Sequence, residues 1–287
     1  MKTLYQIQPY FFILPAMLIL FIFLIFPLFW NIYISIHDVT SITILKEWGY
    51  IGLDNFIHLL NDSDFHASLL ITLKFVGGSV LLQFGIGLLI AVMLNQKIRN
   101  TGLLRSIIII PWTVSAVIAG FSFKFIYDDN FGILNYILQQ LGINPVGWLS
   151  DPNIAIWSIV FANMWYGTPF TILFLTAGVL SINPTLYEAA IVDGATKLKS
   201  FFYITLPLLK PFILINLILI SMWSINFFDL QLVMTGGGPL FSTTTASLFM
   251  YKAFEEGLYS KGTVAGIILV AINLIVAYVY VKLLRRQ

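Results

Sequence analysis

The sequence predicts an all-α integral membrane protein of six transmembrane helices, two of them joined by a helix–bend–helix loop. Three observations lead there. Of the 287 residues, 59% are hydrophobic and only 10% are charged, where soluble domains carry roughly 25% charged residues; the mean hydropathy is +0.92. The apolar residues fall into long runs rich in Leu, Ile and Phe, without the period-two alternation of a membrane barrel. Lipid offers no partner to a free backbone N–H or C=O, so such runs must cross as helices.

A helix needs about 20 apolar residues to cross roughly 30 Å of hydrocarbon. Six stretches qualify, at 11–35, 68–94, 104–126, 154–180, 211–233 and 262–284. The first follows a lone Lys2 and exceeds the roughly 7–15 residues of a signal-peptide core. Pro27, Leu28, Phe29, Trp30 and Asn31 stand where small cleavage-site residues would be, so a retained helix is expected. Neither of the longer connecting segments, 36–67 and 127–153, is long enough to fold alone, and a single domain over 1–287 is expected. Within the second segment Leu134, Ile137, Leu138 and Leu141 recur at helical spacing before Gly142, which fits a short amphipathic helix on the membrane face. Asp151 and Pro152 read as the N-cap and first residue of the fourth span.

Basic residues orient the chain. Lys2, Lys97, Arg99, Arg105, Lys197, Lys199, Lys210, Lys282, Arg285 and Arg286 fall on one side, against Lys46, Lys252 and Lys261 on the other. Both termini and the 187–211 stretch are therefore expected in the cytoplasm, with most carboxylates outside. Lys74 and Lys124 lie inside spans near their outer ends and read as side chains snorkelling to the interface. Asp229, in the outer third of the fifth span, either reaches water or faces a cavity. Gly85, Gly87 and Ala91 offer small-residue spacing for close helix contact. Pro111 and Pro169 either kink their spans or are accommodated. No broken helix or inverted repeat is legible.

The stretch YEAAIVDGATKLKSFFYITLPLLKP, 187–211, breaks the apolar pattern. Asn183 and Pro184 form a helix start, as N-cap and first-turn proline. Thr185 to Asp193 continue as helix, Gly194 permits a sharp change of direction, and a second short helix fits 196–204, limited by Pro207 and Pro211. The product is a compact knob over about 184–205, outside the lipid.

Here the residues become specific. Glu188, Ala189 and Ala190, then three residues, Gly194, then nine residues, and Ile204, Leu206 and Pro207 match the E-A-A–x₃–G–x₉–I-x-L-P signature. The chain thereby resembles the permease subunits of bacterial ATP-binding-cassette importers, and its fold is expected to be the type I importer permease fold. GLDNF (52–56), FGILN (131–135) and TGGGP (235–239) are similar to the carbohydrate-uptake branch, in particular to the maltose-transporter F-type and glycerol-3-phosphate A-type subunits. The similarity covers about 35–287; the sequence departs from the maltose member in lacking two additional N-terminal spans and a large outer domain.

The resemblance implies the rest. The knob is expected to dock on a cytoplasmic ATPase, one of a dimer, with Glu188 as charged contact, Ala189 and Ala190 as close-approach surface, and Asp193 and Gly194 at the bend. A second homologous permease and an extracytoplasmic solute-binding protein are implied partners. A sugar path between the two permeases is expected to use Trp165, Gly167 and Phe170 of the fourth span and Trp223, Ser224 and Phe227 of the fifth; ordinary aromatic packing is the competing reading. Asn163, Asn226 and Asp229 are weaker candidates. The expected place is the bacterial cytoplasmic membrane.

Exclusions sharpen this. No G-x-x-x-x-G-K-[ST] loop occurs, so ATP and Mg belong with a partner and no cofactor or catalytic residue is expected in this chain. Zero cysteines and three histidines, none at ligand spacing, argue against a metal site. A net charge of +2 gives no field for nucleic acid. A phosphate ester such as a glycerol-phosphate compound would favour Arg or Lys inside the path, and only Lys74 and Lys124 are embedded, so a neutral glycan is preferred. A stand-alone secondary transporter would leave the knob without a purpose.

Overall fold

The computed structural model describes residues 12–94 and 101–285. Phe11, Lys2, Lys97, Arg99 and Arg286 of the sequence reading lie outside them. Five described helices are long and apolar enough to cross a membrane, or six when one sharply bent pair is taken as a single span. They are α1 Phe12–Ser35, α3 Ser63–Leu94, the pair α4 Thr101–Thr113 and α5 Ala116–Ile126, α7 Ala155–Leu180, α9 Lys197–Asn226 and α12 Tyr259–Arg285. Shorter helices are α2 Asp54–Leu60, α6 Ile133–Gln140, α8 Pro184–Val192, α10 Asp229–Thr235 and α11 Ala246–Glu255. β1 His37–Asp38 and β2 Gly49–Tyr50 make a two-residue antiparallel ladder.

The contacts group the chain into two compact units. The first comprises the residues up to Phe65 together with Phe249–Ile268. Ser260 ties it together: its Oγ accepts from Val39 N at 2.7 Å and lies 2.8 Å from His37 O. The Asp62 carboxylate caps α3 through Asp64 N (2.8 Å) and Phe65 N (3.2 Å) and pairs with Lys261 at 2.8 Å. That cap explains why α3 begins five residues before the expected 68. Lys261 also stands 4.9 Å over the Phe249 ring.

The second unit comprises His66–Leu248 and Leu269 onward. Its helices approach where a side chain is missing. A Cβ on Gly87 would come within 2.4 Å of Thr171, and one on Gly78 within 3.0 Å of Trp157 and Val160, so α3 lies close against α7. Ala91 is fully buried in the same seam, whereas Gly85, expected to share it, has open space around it. Gly178 does the same for α7 and α9, with Leu209 and Phe212 at 2.7 Å.

Two spans break, contrary to the expectation of unbroken helices. The third turns by 92° at Val114 and Ser115, while Pro111 stays inside α4 without ending it. The fifth ends at Asn226, passes through Phe227 and Phe228, and restarts as α10. The halves beyond the breaks pack on each other: Gly120 of α5 sits against Val233 of α10, and Ala119 and Leu230 are buried between them. At the second break the Phe227 carbonyl accepts from Gln231 Nε2 at 3.2 Å and from Ser247 Oγ at 3.4 Å. Asp229 is the first residue of α10, where the positive end of a helix favours a carboxylate.

Two further boundaries differ. Asp151 and Pro152 form a turn in which Asp151 Oδ1 accepts from Asn153 N at 2.8 Å, and α7 begins only at Ala155. Pro207 and Pro211 do not limit a short second helix; α9 runs unbroken for 30 residues. A π-helical turn over Phe201–Thr205, just upstream of Pro207, widens the helix where the proline ring would otherwise meet the preceding turn.

Burial raises the Asp62 pKa, but the hydrogen bonds from Lys261 and the two backbone amides, with the Lys261 charge, outweigh it and hold the carboxyl below the usual aspartate range. Because the folded pKa is the lower one, the pair stabilises above about pH 4 and its contribution fades as pH falls through the depressed value. Lys261→Met is expected to cost at most about 1 kcal/mol at pH 7, since water screens the pair. Thermal unfolding in detergent checks this, with the gap to wild type closing on acidification.

Candidate functional site: an aromatic cleft and a bent knob

Two stripes at helical spacing face each other inside the second unit. On α7, Asn163, Tyr166, Gly167 and Phe170 fall at i, i+3, i+4 and i+7; Ile220, Trp223, Ser224 and Phe227 repeat the spacing along α9 and its end. Gln83 of α3 and Trp112 of α4 complete the cleft. Three rings frame it: Trp112 lies 5.8 Å from Phe170 and 6.4 Å from Trp223, and Phe170 lies 6.1 Å from Trp223. Tyr166 stacks on Phe227 at 5.7 Å. Among the described residues, no Asp, Glu, Lys, Arg or His lines the cleft.

Buried amides support the walls. Asn163 Nδ2 donates to Ser79 Oγ at 2.9 Å, and Gln83 Nε2 donates to the Asn163 carbonyl at 3.1 Å. The arrangement offers flat apolar faces beside a few neutral hydrogen-bonding groups, which suits a ligand with both C–H faces and hydroxyls.

Five of the six path residues expected from sequence meet here: Gly167, Phe170, Trp223, Ser224 and Phe227. Trp165 does not. It lies about 200° around α7 from Asn163, packs edge-on against Phe123 at 5.5 Å, and is 40% exposed. Asn226 also turns elsewhere, exchanging amide hydrogen bonds of 3.3 and 3.2 Å with Asn273. Asp229 lies outside the lining, and Lys74 and Lys124 are both exposed. Sequence reading missed Gln83, Trp112 and Tyr166. A glutamine in the middle of an apolar run and a tryptophan beside Pro111 were the available signals. Among the described residues no His, Cys, Asp and Glu cluster could hold a metal ion.

The knob begins as the sequence suggests. Asn183 Oδ1 accepts from Thr185 N at 3.1 Å and Pro184 opens α8. Gly194 takes φ +73°, which lets Ala195 N reach Ala190 O at 2.8 Å and reverses the chain. Thr196 then caps α9. Glu188, Ala189, Asp193 and Gly194 are exposed; Ala190, expected on the outer surface, is 9% exposed and lies inside the bend. Ile191 (71%) and Val192 (87%) instead present their apolar side chains. Tyr187 and Thr205 share a hydrogen bond of 2.9 Å, latching α8 to the π turn of α9.

The fold and these two features define a class, the membrane-spanning permease of a type I ATP-binding-cassette importer. The chain aligns along its length with the crystal structure of a bacterial ABC transporter involved in the import of the acidic polysaccharide alginate, at TM-score 0.85 and 26% identity, covering 100% of this chain and 99% of that one. A structure of the alginate transporter in complex with its pentasaccharide-bound periplasmic protein matches at TM-score 0.85 and 25% identity, covering 99% and 96%. Residues 83–287 match the model of the binding-protein-dependent transport system inner membrane component family, and the chain belongs to that family. It is 37% identical to the trehalose/maltose transport system permease protein MalF of Thermococcus litoralis, covering 95% of this chain and 92% of the relative. It is 32% identical to the lactose transport system permease protein LacF of Rhizobium radiobacter, covering 88% and 85%.

Removing the latch with Tyr187→Phe is expected to cost about 0.5–1.5 kcal/mol locally. Hydrogen exchange checks this: amides of 184–195 should open several-fold faster, with those of α7 unchanged.

Proposed function

We propose that this chain, paired with a second homologous permease, forms the path by which a neutral sugar or oligosaccharide enters by alternating access, driven by ATP hydrolysis in a partner subunit. The observation that carries this reading is the continuity of α9. One helix of 30 residues begins beside the Gly194 bend and ends at the cleft wall with Trp223 and Ser224. Whatever moves the knob moves that wall.

The cleft supports the substrate class. Rings give stacking faces and amides give hydroxyl partners, whereas a phosphate ester or uronate would call for a cation that the lining lacks. The relatives named for trehalose, maltose and lactose transport point the same way. The alginate transporter is involved in the import of an acidic polysaccharide; the uncharged lining here favours a neutral glycan for this chain.

The knob supports the partner. Ile191 and Val192 are costly to hold in water and suit a protein surface, with Glu188 exposed beside them for a basic residue. In this reading the knob sits in the cytoplasm on one of two ATPase subunits, which bind ATP and Mg. Both termini share that side, and an extracytoplasmic binding protein delivers the sugar. Closure of the ATPase pair rocks α9 as a rigid body and switches the cleft between two packings.

Glu188→Lys and Gly194→Pro are expected to leave membrane insertion intact and cut sugar uptake at least tenfold while ATP hydrolysis persists. Uptake and phosphate release in proteoliposomes read this; normal uptake by both variants would remove the knob from the mechanism. Trp223→Ala and Phe170→Ala should each lower the uptake rate or change the sugar preferred, and unchanged kinetics for both would leave these rings as packing.

A further inference from the structure

Gln83 is 4% exposed, yet it lines the cleft. Its seat is unusual. A Cβ on Gly167 would fall 2.6 Å from both Gln83 Nε2 and Oε1, so the amide rests on bare backbone where every other residue would place a side chain. The Asn163 carbonyl at 3.1 Å requires a donor, which assigns Nε2 to that side. Oε1 then accepts no hydrogen bond from any described residue. Oε1 is not sealed off from the cleft, so it stands there as an acceptor open to a hydroxyl of whatever occupies the space.

Resting on the sugar-path reading above, we infer that Gln83 determines specificity by accepting a hydrogen bond from one substrate hydroxyl, and that Gly167 is the positioning residue that keeps its amide at the cleft. Ser79, through Asn163, fixes the other end of the support, with Asn163 Nδ2 at 2.9 Å from Ser79 Oγ. Alanine at 167 would push the amide off its seat, so the two positions act as one device.

The test uses the assembled importer in proteoliposomes, with binding protein and sugar saturating so that the membrane step is read. Trehalose, maltose and lactose are screened, and the fastest is compared with its monodeoxy analogues. Wild type is expected to carry one analogue roughly three- to tenfold more slowly than the parent, the effect of one neutral hydrogen bond. In Gln83→Leu and in Gly167→Ala that ratio should fall to near one, with the ratios for the other analogues unmoved. The double variant should add nothing to either single change. A purely structural role for Gln83 would slow all sugars alike. An unchanged ratio in Gln83→Leu, a uniform slowing, or equal transport of every analogue by wild type overturns the inference. If Trp223→Ala is inert as well, or no neutral sugar of the panel is carried, the path reading itself fails; if Trp223→Ala alters transport and Gln83→Leu does not, only the role of Gln83 falls.

Discussion

The close approach of α7 and α9 at Gly178 is the constraint on which the rest depends. With Leu209 and Phe212 only 2.7 Å from where a Cβ would stand, the two helices touch backbone to side chain at that level. Leu175, Val179 and Leu209 are buried there with Ala91 of α3. Further along the same two helices, their facing stripes line the cleft. The ring trio of Trp112, Phe170 and Trp223 sits there, so a tilt of α9 about the seam would change the spacing of these rings.

That geometry gives the long helix its meaning. Lipid supplies no solvent for a free backbone, so an uninterrupted helix is the stiffest element available across the bilayer. α9 is uninterrupted despite Pro207 and Pro211; the π turn over Phe201–Thr205 makes room ahead of Pro207, and Tyr187 braces that turn from α8. Where the chain does break, at Val114–Ser115 and at Phe227–Phe228, the segments beyond pack on each other through Gly120 and Val233. Stiffness lies between knob and cleft, and the breaks lie at the cleft's edge.

Much of this was legible in the sequence. Long apolar runs give the spans, and the i, i+3, i+4, i+7 spacing of Ile220, Trp223, Ser224 and Phe227 places them on one face without any structure. The bend followed from Asn183, Pro184 and Gly194, whose conformations are dictated locally. The breaks were not legible, because neither Ser115 nor Phe227 is a helix breaker by type; they exist because α5 and α10 find each other across some 110 positions of chain. Trp165, expected beside Gly167 from the resemblance alone, lies on another face of α7 against Phe123. Gln83 escaped because its role depends on an absent side chain on another helix.

The central claim, that one rigid helix carries motion from knob to cleft, is tested most directly by spin-label distances in the assembled importer, the chain having no cysteine of its own. Labels at Leu198 and Leu219, both exposed on α9, should stand about 32 Å apart along the helix axis with and without trapped nucleotide. A second pair at Leu219 and Phe161, the latter exposed on α7, should change its separation when nucleotide is trapped. A shift in the first distance with the second held constant would mean that α9 flexes near its π turn while the cleft stays still, and the account would be wrong.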